Sequence, residues 1–253
     1  MSYASSMFAV VQFRPDRGQR SANLARLVPL VSAACDAGAS FVVLPEMAAT
    51  GYRFPSAEAV RPLAEPALGP TFAALSPIAR ERQAHVVCGF VEADGRRLFN
   101  SALVIGPDGA LEHLYRKRYL YVDDTTWAAP GDLPFPVVSS PLGRAVVGIC
   151  MDINGPWLPR AALVHAADVV CLPTNWVDEG RDDIHDYWRE RLPLFDGTLL
   201  AADRWGVEDG VGFWGRSAIM HGGEVVVSAP ACGDGWVAWS SGTDQVVSSF
   251  PPC

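Results

Sequence analysis

The sequence predicts an α/β fold, layered and with mixed sheets, and three observations carry that prediction. Short β-branched apolar runs alternate with amphipathic segments along the whole chain. Turn signals at GPDG (106–109) and at Gly222-Gly223 insert hairpins into that alternation, so parallel and antiparallel pairing must coexist. The 253 residues are 49% hydrophobic and 19% charged, enough for one large core, and no linker or repeat divides them. A single domain over 1–253 is therefore expected.

The elements follow in order. MFAVVQF, SANLARLVPLVSAACDAGA and SFVVLPE form a strand–helix–strand unit. The helix has Ser21 placed as its N-cap and Gly38 at its end, with apolar residues three and four apart. TFAALSPIARERQ is a second helix in which Pro77 must start or kink a part. HVVCGFVEA, LFNSALVIGP and ALEHLYRK are consecutive strands, the last two an antiparallel hairpin. RAVVGIC, the helical LPRAALVHAA and DVVCLPTNW make another strand–helix–strand unit. A longer helical stretch, HDYWRERLPLFDG, precedes TLLAADRWG, and RSAIMHGGEVVVSA closes as a hairpin.

Composition excludes several roles. A net charge of −8 and a pI near 5.1 provide no electrostatic reason to bind nucleic acid or an anionic membrane. No apolar run approaches bilayer-spanning length, and the opening MSYASSMFAVVQF lacks a basic region followed by a cleavable apolar core. A cytoplasmic location is expected. None of the six cysteines forms a CxxC pair, and their spacing fits neither a zinc site nor a small disulfide scaffold. Cys35, Cys88 and Cys171 lie inside apolar runs, as small buried hydrophobes do, while Cys232 and Cys253 fall in turn-like or terminal sequence and are taken as incidental.

Cys150 differs in context. A cysteine is by default a buried thiol, but the apolar run AVVGIC delivers this one to a turn, MDINGP, that leads into a helix. A thiol there is expected to be exposed and near free backbone N–H groups that favour thiolate and can hold an oxyanion. Glu46 ends FVVLPE, a run too apolar for a solvated edge, so burial should raise its pKa toward general-base range. Lys117 sits in Arg116-Lys117-Arg118, which alone would be a solvated face. Its position at a third strand end, in register with the other two, makes it a candidate for favouring thiolate and neutralising an oxyanion. Thiol, carboxylate and amine are the parts that cysteine-based acyl transfer needs.

In order along nearly its full length, the chain carries VVQFRP, Asn23, LPEMAATGY, HLYRK, PGD (130–132), GICMD, LPTNW, AADRWG and GRSAIMHGGEVV. In this series it resembles the carbon–nitrogen hydrolase (nitrilase/amidase) family, and the three-part match of LPE, YRK and GIC is specific. The resemblance implies a four-layer αββα sandwich with two mixed β-sheets. It implies a Glu-Lys-Cys triad falling on Glu46, Lys117 and Cys150, no metal or organic cofactor, a small-molecule amide as substrate, and homodimers or larger homo-oligomers formed through the outer helices. Two departures stand out. Many members carry a second glutamate shortly after the lysine, where this chain has Asp123-Asp124-Thr125-Thr126, and the role is left unassigned. After the nucleophile, Asn154-Gly155-Pro156-Trp157 replaces an Arg-Phe-Pro-Glu-like stretch and resembles the branch acting on protein N-terminal amides.

The expected reaction is amide hydrolysis through a cysteine thioester, with the Met151 N–H and Lys117 holding the oxyanion. Acyl transfer to an amine, nitrile hydrolysis, and a non-catalytic binding protein of the same fold are the alternatives. Tyr52, Asn175 and Trp176 lie just past strand ends and are placed around the substrate, although Tyr52 and Trp176 would serve equally as packing residues. Trp127, Trp188, Trp205 and Trp214 are taken as structural or interface residues. His185 with Asp182, Asp183 and Asp186 is taken as a solvated helix start rather than a metal site, and His85, His113, His165 and His221 show no partner in the sequence.

Overall fold

The computed structural model describes residues 7–180 and 183–251. The chain opens with β1 (Met7–Gln12), α1 (Arg20–Asp36), β2 (Ala39–Val43), the short α2 (Ala57–Val60) and α3 (Pro70–Arg82). It continues with β3 (His85–Asp94), β4 (Arg97–Ile105), β5 (Leu111–Arg116), β6 (Val137–Ser140) and β7 (Gly143–Val147). Then come α4 (Trp157–Val164), β8 (Val169–Thr174), α5 (Ile184–Arg191) and β9 (Thr198–Asp203). The hairpins β10 (Trp205–Glu208) and β11 (Val211–Trp214), β12 (Ala218–His221) and β13 (Glu224–Ser228), and β14 (Gly235–Ser240) and β15 (Gln245–Ser249) complete the series.

Two mixed sheets result. One has seven strands in the order β15-β14-β1-β2-β3-β4-β5, the other six in the order β13-β12-β9-β8-β7-β6. β1, β2 and β3 are parallel in the first, and β7, β8 and β9 in the second. β1 is buried on both faces, which is why its sequence is a continuous apolar run without polar alternation. Phe8 and Val10 point into the core shared with the six-stranded sheet, whereas Met7, Ala9 and Val11 pack with Leu27 and Val31 of α1 and Leu75 and Ile78 of α3. Leu158 and Ala162 of α4, with Ile184 and Trp188 of α5, cover the other sheet. The layers are helix, sheet, sheet, helix, the predicted four-layer αββα sandwich. Among the described residues no helix is long and apolar enough to cross a membrane.

Some local expectations are corrected. α1 begins at Arg20, so Ser21 lies inside its first turn and does not cap it. Asn23 organises that end instead: its side chain accepts from Asp16 N and donates to the carbonyls of Asp16 and Ala49. α5 stops at Arg191 because Pro193 cannot supply an N–H and disfavours a helical residue before it. Pro77, by contrast, is carried inside α3, which starts at Pro70. Strands β6, β10, β11, β14 and β15 add to those predicted. Asp209-Gly210, a strong two-residue hairpin signal, marks the β10–β11 turn.

The bland reading of three cysteines holds. Cys35, Cys88 and Cys171 are buried free thiols, and burial pushes Cys35 up to about 11 and the other two higher. Cys253 and Asp182 lie outside the described residues. His185 is buried, not solvated: its Nε2 meets the Arg216 carbonyl at 2.9 Å, while Asp183 caps α5 by accepting from the His185 N–H. Among the described residues no group of three or more His, Cys, Asp or Glu side chains could hold a metal ion. His85 does have a partner, Glu112 at 3.2 Å, and His221 meets the Thr198 hydroxyl.

Candidate active site

Four strand ends meet at one end of the sandwich. β2 leads through Leu44-Pro45 to Glu46, β5 ends immediately before Lys117, β7 leads through Gly148-Ile149 to Cys150, and β8 ends immediately before Asn175. Glu46 and Lys117 thus belong to the seven-stranded sheet, Cys150 and Asn175 to the six-stranded one. The site lies across the seam.

Cys150 opens a single turn of 3₁₀ helix, Cys150–Asn154, with its backbone in the left-handed region at φ 45°. Such a conformation costs of order 1–3 kcal/mol and persists only where its surroundings impose it. Here Asp152 imposes it. One carboxylate oxygen accepts from the Ile149 N–H (2.9 Å) and the Tyr115 hydroxyl (2.9 Å), the other from the Arg118 (3.1 Å) and Tyr119 (2.9 Å) N–H groups. Asp152 therefore ties the cysteine turn to the chain on either side of Lys117. The exposure expected of Cys150 is corrected: it is only 4% accessible, because that bracing draws the turn into the core.

Glu46 is fully buried, and the chain carrying it runs directly over Gly89 of β3. A Cβ there would lie 2.5 Å from Glu46 Cα, so only glycine lets the carboxylate approach so closely. Oε1 accepts from Lys117 Nζ (2.6 Å) and Asn100 Nδ2 (2.7 Å), and Oε2 from the Asn175 N–H (2.9 Å). Asn175 grips the residue a second time, donating from Nδ2 to the Glu46 carbonyl.

Lys117 has a second buried carboxylate at 2.6 Å, that of Asp124. Asp124 also accepts from Asn100 Nδ2 and from the Tyr121 N–H. The acidic pair that sequence left undecided is thereby resolved: Asp124 faces the lysine, and Asp123 turns away to pair with Arg53 at 2.9 Å. The ammonium stands between two carboxylates, with Asn100 bridging them. Replacing Asp124 by Asn should leave the fold intact but release one side of Lys117. Any turnover that depends on Lys117 is expected to fall about 10²-fold, the scale of a misplaced polar group, and steady-state kinetics on the folded variant checks it.

Electrostatics order the protons. Burial raises the Glu46 pKa, with Lys117 acting against and Asp124 with that shift. Burial would depress Lys117, but the charges of Asp124 and Glu46 outweigh it and hold the amine well above its usual value. Burial, then the charge of Glu46, pushes the Cys150 thiol up, while Lys117 pulls it down. The thiol, the ammonium and the carboxyl thus act on one another's titration at the core of the site.

Cys150 lines a cavity of about 100 Å³ together with Tyr52, Met151, Asn175 and Trp176, all four of the residues that sequence placed around the substrate. Tyr121, Asn154, Val177, Glu179 and Tyr187 complete the lining without having been placed there: Tyr121, Val177 and Glu179 have nothing in their local pattern to mark them, and Tyr187 reads as one more aromatic residue of a helix. Trp176 also packs on Tyr187 and Trp188, and Tyr52 on Phe213, so both aromatic residues serve the core as well as the cavity. A larger open cleft of about 680 Å³, lined by Arg17, Arg53 and Asp209 among others, contains none of the three candidate catalytic residues.

A family model described as carbon–nitrogen hydrolase matches residues 8–233. The chain belongs to the carbon–nitrogen hydrolase family. Among relatives of this hydrolase, a nitrilase of Pyrococcus abyssi is 34% identical over 216 residues, covering 83% of this chain and 79% of that protein. A protein N-terminal amidase of Schizosaccharomyces pombe is 29% identical, covering 85% and 90%. In structure, a mutant of the Nesterenkonia amidase of the nitrilase superfamily superposes with a TM-score of 0.79 at 22% identity, over 96% of this carbon–nitrogen hydrolase and 93% of that chain. That likeness establishes the shared fold.

Proposed function

We propose that the protein hydrolyses a non-peptide or terminal amide through a thioester on Cys150, with Glu46 as general base and Lys117 as the charged oxyanion donor. The observation that carries this reading is the 2.6 Å contact of Lys117 Nζ with buried Glu46, whose other oxygen accepts from Asn175, a residue that lines the cavity together with Cys150. Glu46 takes the Sγ proton as sulfur bonds to the amide carbon. The tetrahedral oxyanion rests on Lys117 and the Met151 N–H; one such donor contributes roughly 3–4 kcal/mol to lowering a barrier of this type. The C–N bond then breaks, and Glu46 returns the proton to the departing amine. Water next loses a proton to Glu46 and attacks the thioester, the C–S bond breaks, and the proton goes back to sulfur.

Amides are favoured over nitriles by the S. pombe relative, named for amidase activity on protein N-termini, and by the solved Nesterenkonia amidase. A cavity of about 100 Å³ admits only a few heavy atoms beside the sulfur, in keeping with a terminal carboxamide entering end-on. Intact-mass spectrometry after brief exposure to a panel of primary amides tests the proposal. The expected spectrum shows the protein plus one acyl group, localised by peptide mapping to Cys150. Turnover without any adduct on Cys150, under quench conditions that preserve thioesters, would overturn it.

A further inference from the structure

Asp203, the last residue of β9, is a fully buried carboxylate for which the reaction above has no use. β8 and β9 are parallel neighbours, and their register sets Thr174 beside Asp203. The next two residues after Thr174 are Asn175, which grips Glu46, and Trp176, which lines the cavity. Asp203 Oδ1 accepts the Trp176 N–H at 2.8 Å, directly fastening the chain that leaves β8. Its own N–H donates to the Ser217 hydroxyl, and that hydroxyl donates back to the Asp203 carbonyl, so the anchor is itself held on β9.

We propose that Asp203 is a positioning residue for the general base: by clamping the Trp176 N–H it fixes the preceding Asn175 N–H against Glu46. The proposal rests on the role of Glu46 argued above. The chain of contacts is short. Asp203 Oδ1 holds Trp176 N, and one residue upstream Asn175 N donates to Glu46 Oε2 at 2.9 Å while Asn175 Nδ2 donates to the Glu46 carbonyl. Two N–H groups on successive residues, each ending on a buried carboxylate, set the pitch of the segment.

The second oxygen supports this assignment. Oδ2 is buried and meets no donor among the described residues, so the side chain is not built as half of an ion pair. The neighbouring Arg204 guanidinium is directed at Glu208, at 2.7 Å, and lies over the Phe213 ring. Burial raises the Asp203 pKa well above that of an ordinary carboxylate, with the Glu46 charge adding to it and the Trp176 and Arg204 backbone N–H groups acting against it. In either charge state the carboxyl can accept the Trp176 N–H through Oδ1. Lys117 and Asp124 are the charged groups acting on Glu46, and Glu46 in turn acts on Cys150.

The test compares Asp203→Asn with Asp203→Ala. Asn keeps an acceptor oxygen and the volume without the charge; Ala removes the clamp. Two readouts are followed: kcat/KM against pH on an amide that forms the Cys150 adduct, and the pH dependence of iodoacetamide labelling of Cys150, which needs no substrate. Asp203→Asn is expected within about threefold of the parent, with an unmoved acid limb. Asp203→Ala should lose at least about tenfold in kcat, and its acid limb should move up by about one pH unit, the size of one lost hydrogen bond to a charged acceptor. If Ala fails to fold, Asp203→Ser, whose hydroxyl is too short to reach the Trp176 N–H, is read in its place. An unmoved limb in the folded Ala or Ser variant overturns the inference, as does an Asn variant impaired as severely as Ala. Failure of the catalytic reading itself looks different: the parent protein would then label Cys150 no faster than a surface thiol at any pH.

Discussion

Cys150→Ala is expected to abolish amide turnover, with kcat falling on the order of 10⁶-fold, the loss typical of removing a nucleophile from a catalytic set. The substitution should scarcely alter stability, within about 1 kcal/mol. The fold around the turn does not depend on sulfur: Asp152 holds Ile149, Tyr115, Arg118 and Tyr119 whatever side chain stands at position 150. Alanine adds no atom to a backbone already at φ 45°. Thermal melts and stopped assays on the same preparation check both halves. A folded variant that kept more than a small fraction of parental activity would remove the thioester from consideration.

Lys117→Met should be worse for the protein, because it damages structure as well as chemistry. The lysine is fully buried between Glu46 and Asp124, each at 2.6 Å. Methionine fills similar space but leaves two carboxylates facing each other with only Asn100 between them. Removing one partner of a buried ion pair typically costs roughly 3–5 kcal/mol, since the remaining charge is desolvated and unpaired. The pH dependence has a definite sign. Without the ammonium, the Glu46 carboxyl, already raised by burial, loses the charge that opposes that shift, so its protonated form is favoured in the native state. The deficit is therefore small at low pH and grows as pH rises toward and through the native Glu46 pKa. Urea denaturation at pH 5 and pH 8 should show the variant losing more relative to the parent at pH 8. Combining Lys117→Met with Asp124→Asn, which removes one of the opposing charges, should recover part of the lost stability and none of the activity. A pH-independent deficit would mean that packing, not charge, had been lost.

Much of this candidate site is legible in the sequence. LPE, YRK and GIC each place a reactive group where an apolar run stops, and the structure brings Glu46 and Lys117 into contact beside the Cys150 turn. What was hidden was hidden for physical reasons. Asp123 and Asp124 are adjacent identical residues, and only the short 3₁₀ turn at Asp124–Thr126 decides which carboxylate faces inward. Asn100 lies mid-strand in β4, and Asp203 ends a strand much as a solvated acid would; their roles exist only through partners 54 and 27 residues away. The exposure expected of Cys150 failed because strand-end placement says nothing of bracing by Asp152. The Ser21 cap failed because a side chain further along, Asn23, performs the tethering. His85 finds Glu112 across strands, beyond any local pattern.

Because Glu46 and Lys117 ride on one β-sheet while Cys150 and Asn175 ride on the other, the spacing that the proposed reaction needs is a property of how two slabs are stacked. Val43, Tyr115, Val147 and Leu172 sit in the same buried core as Cys150, and none of them touches a proton in flight. A methylene added or deleted there would tilt one slab against the other by fractions of an ångström. The proposed chemistry would register so slight a tilt long before the molecule came apart, so the apolar filling would set its alignment alongside the polar side chains.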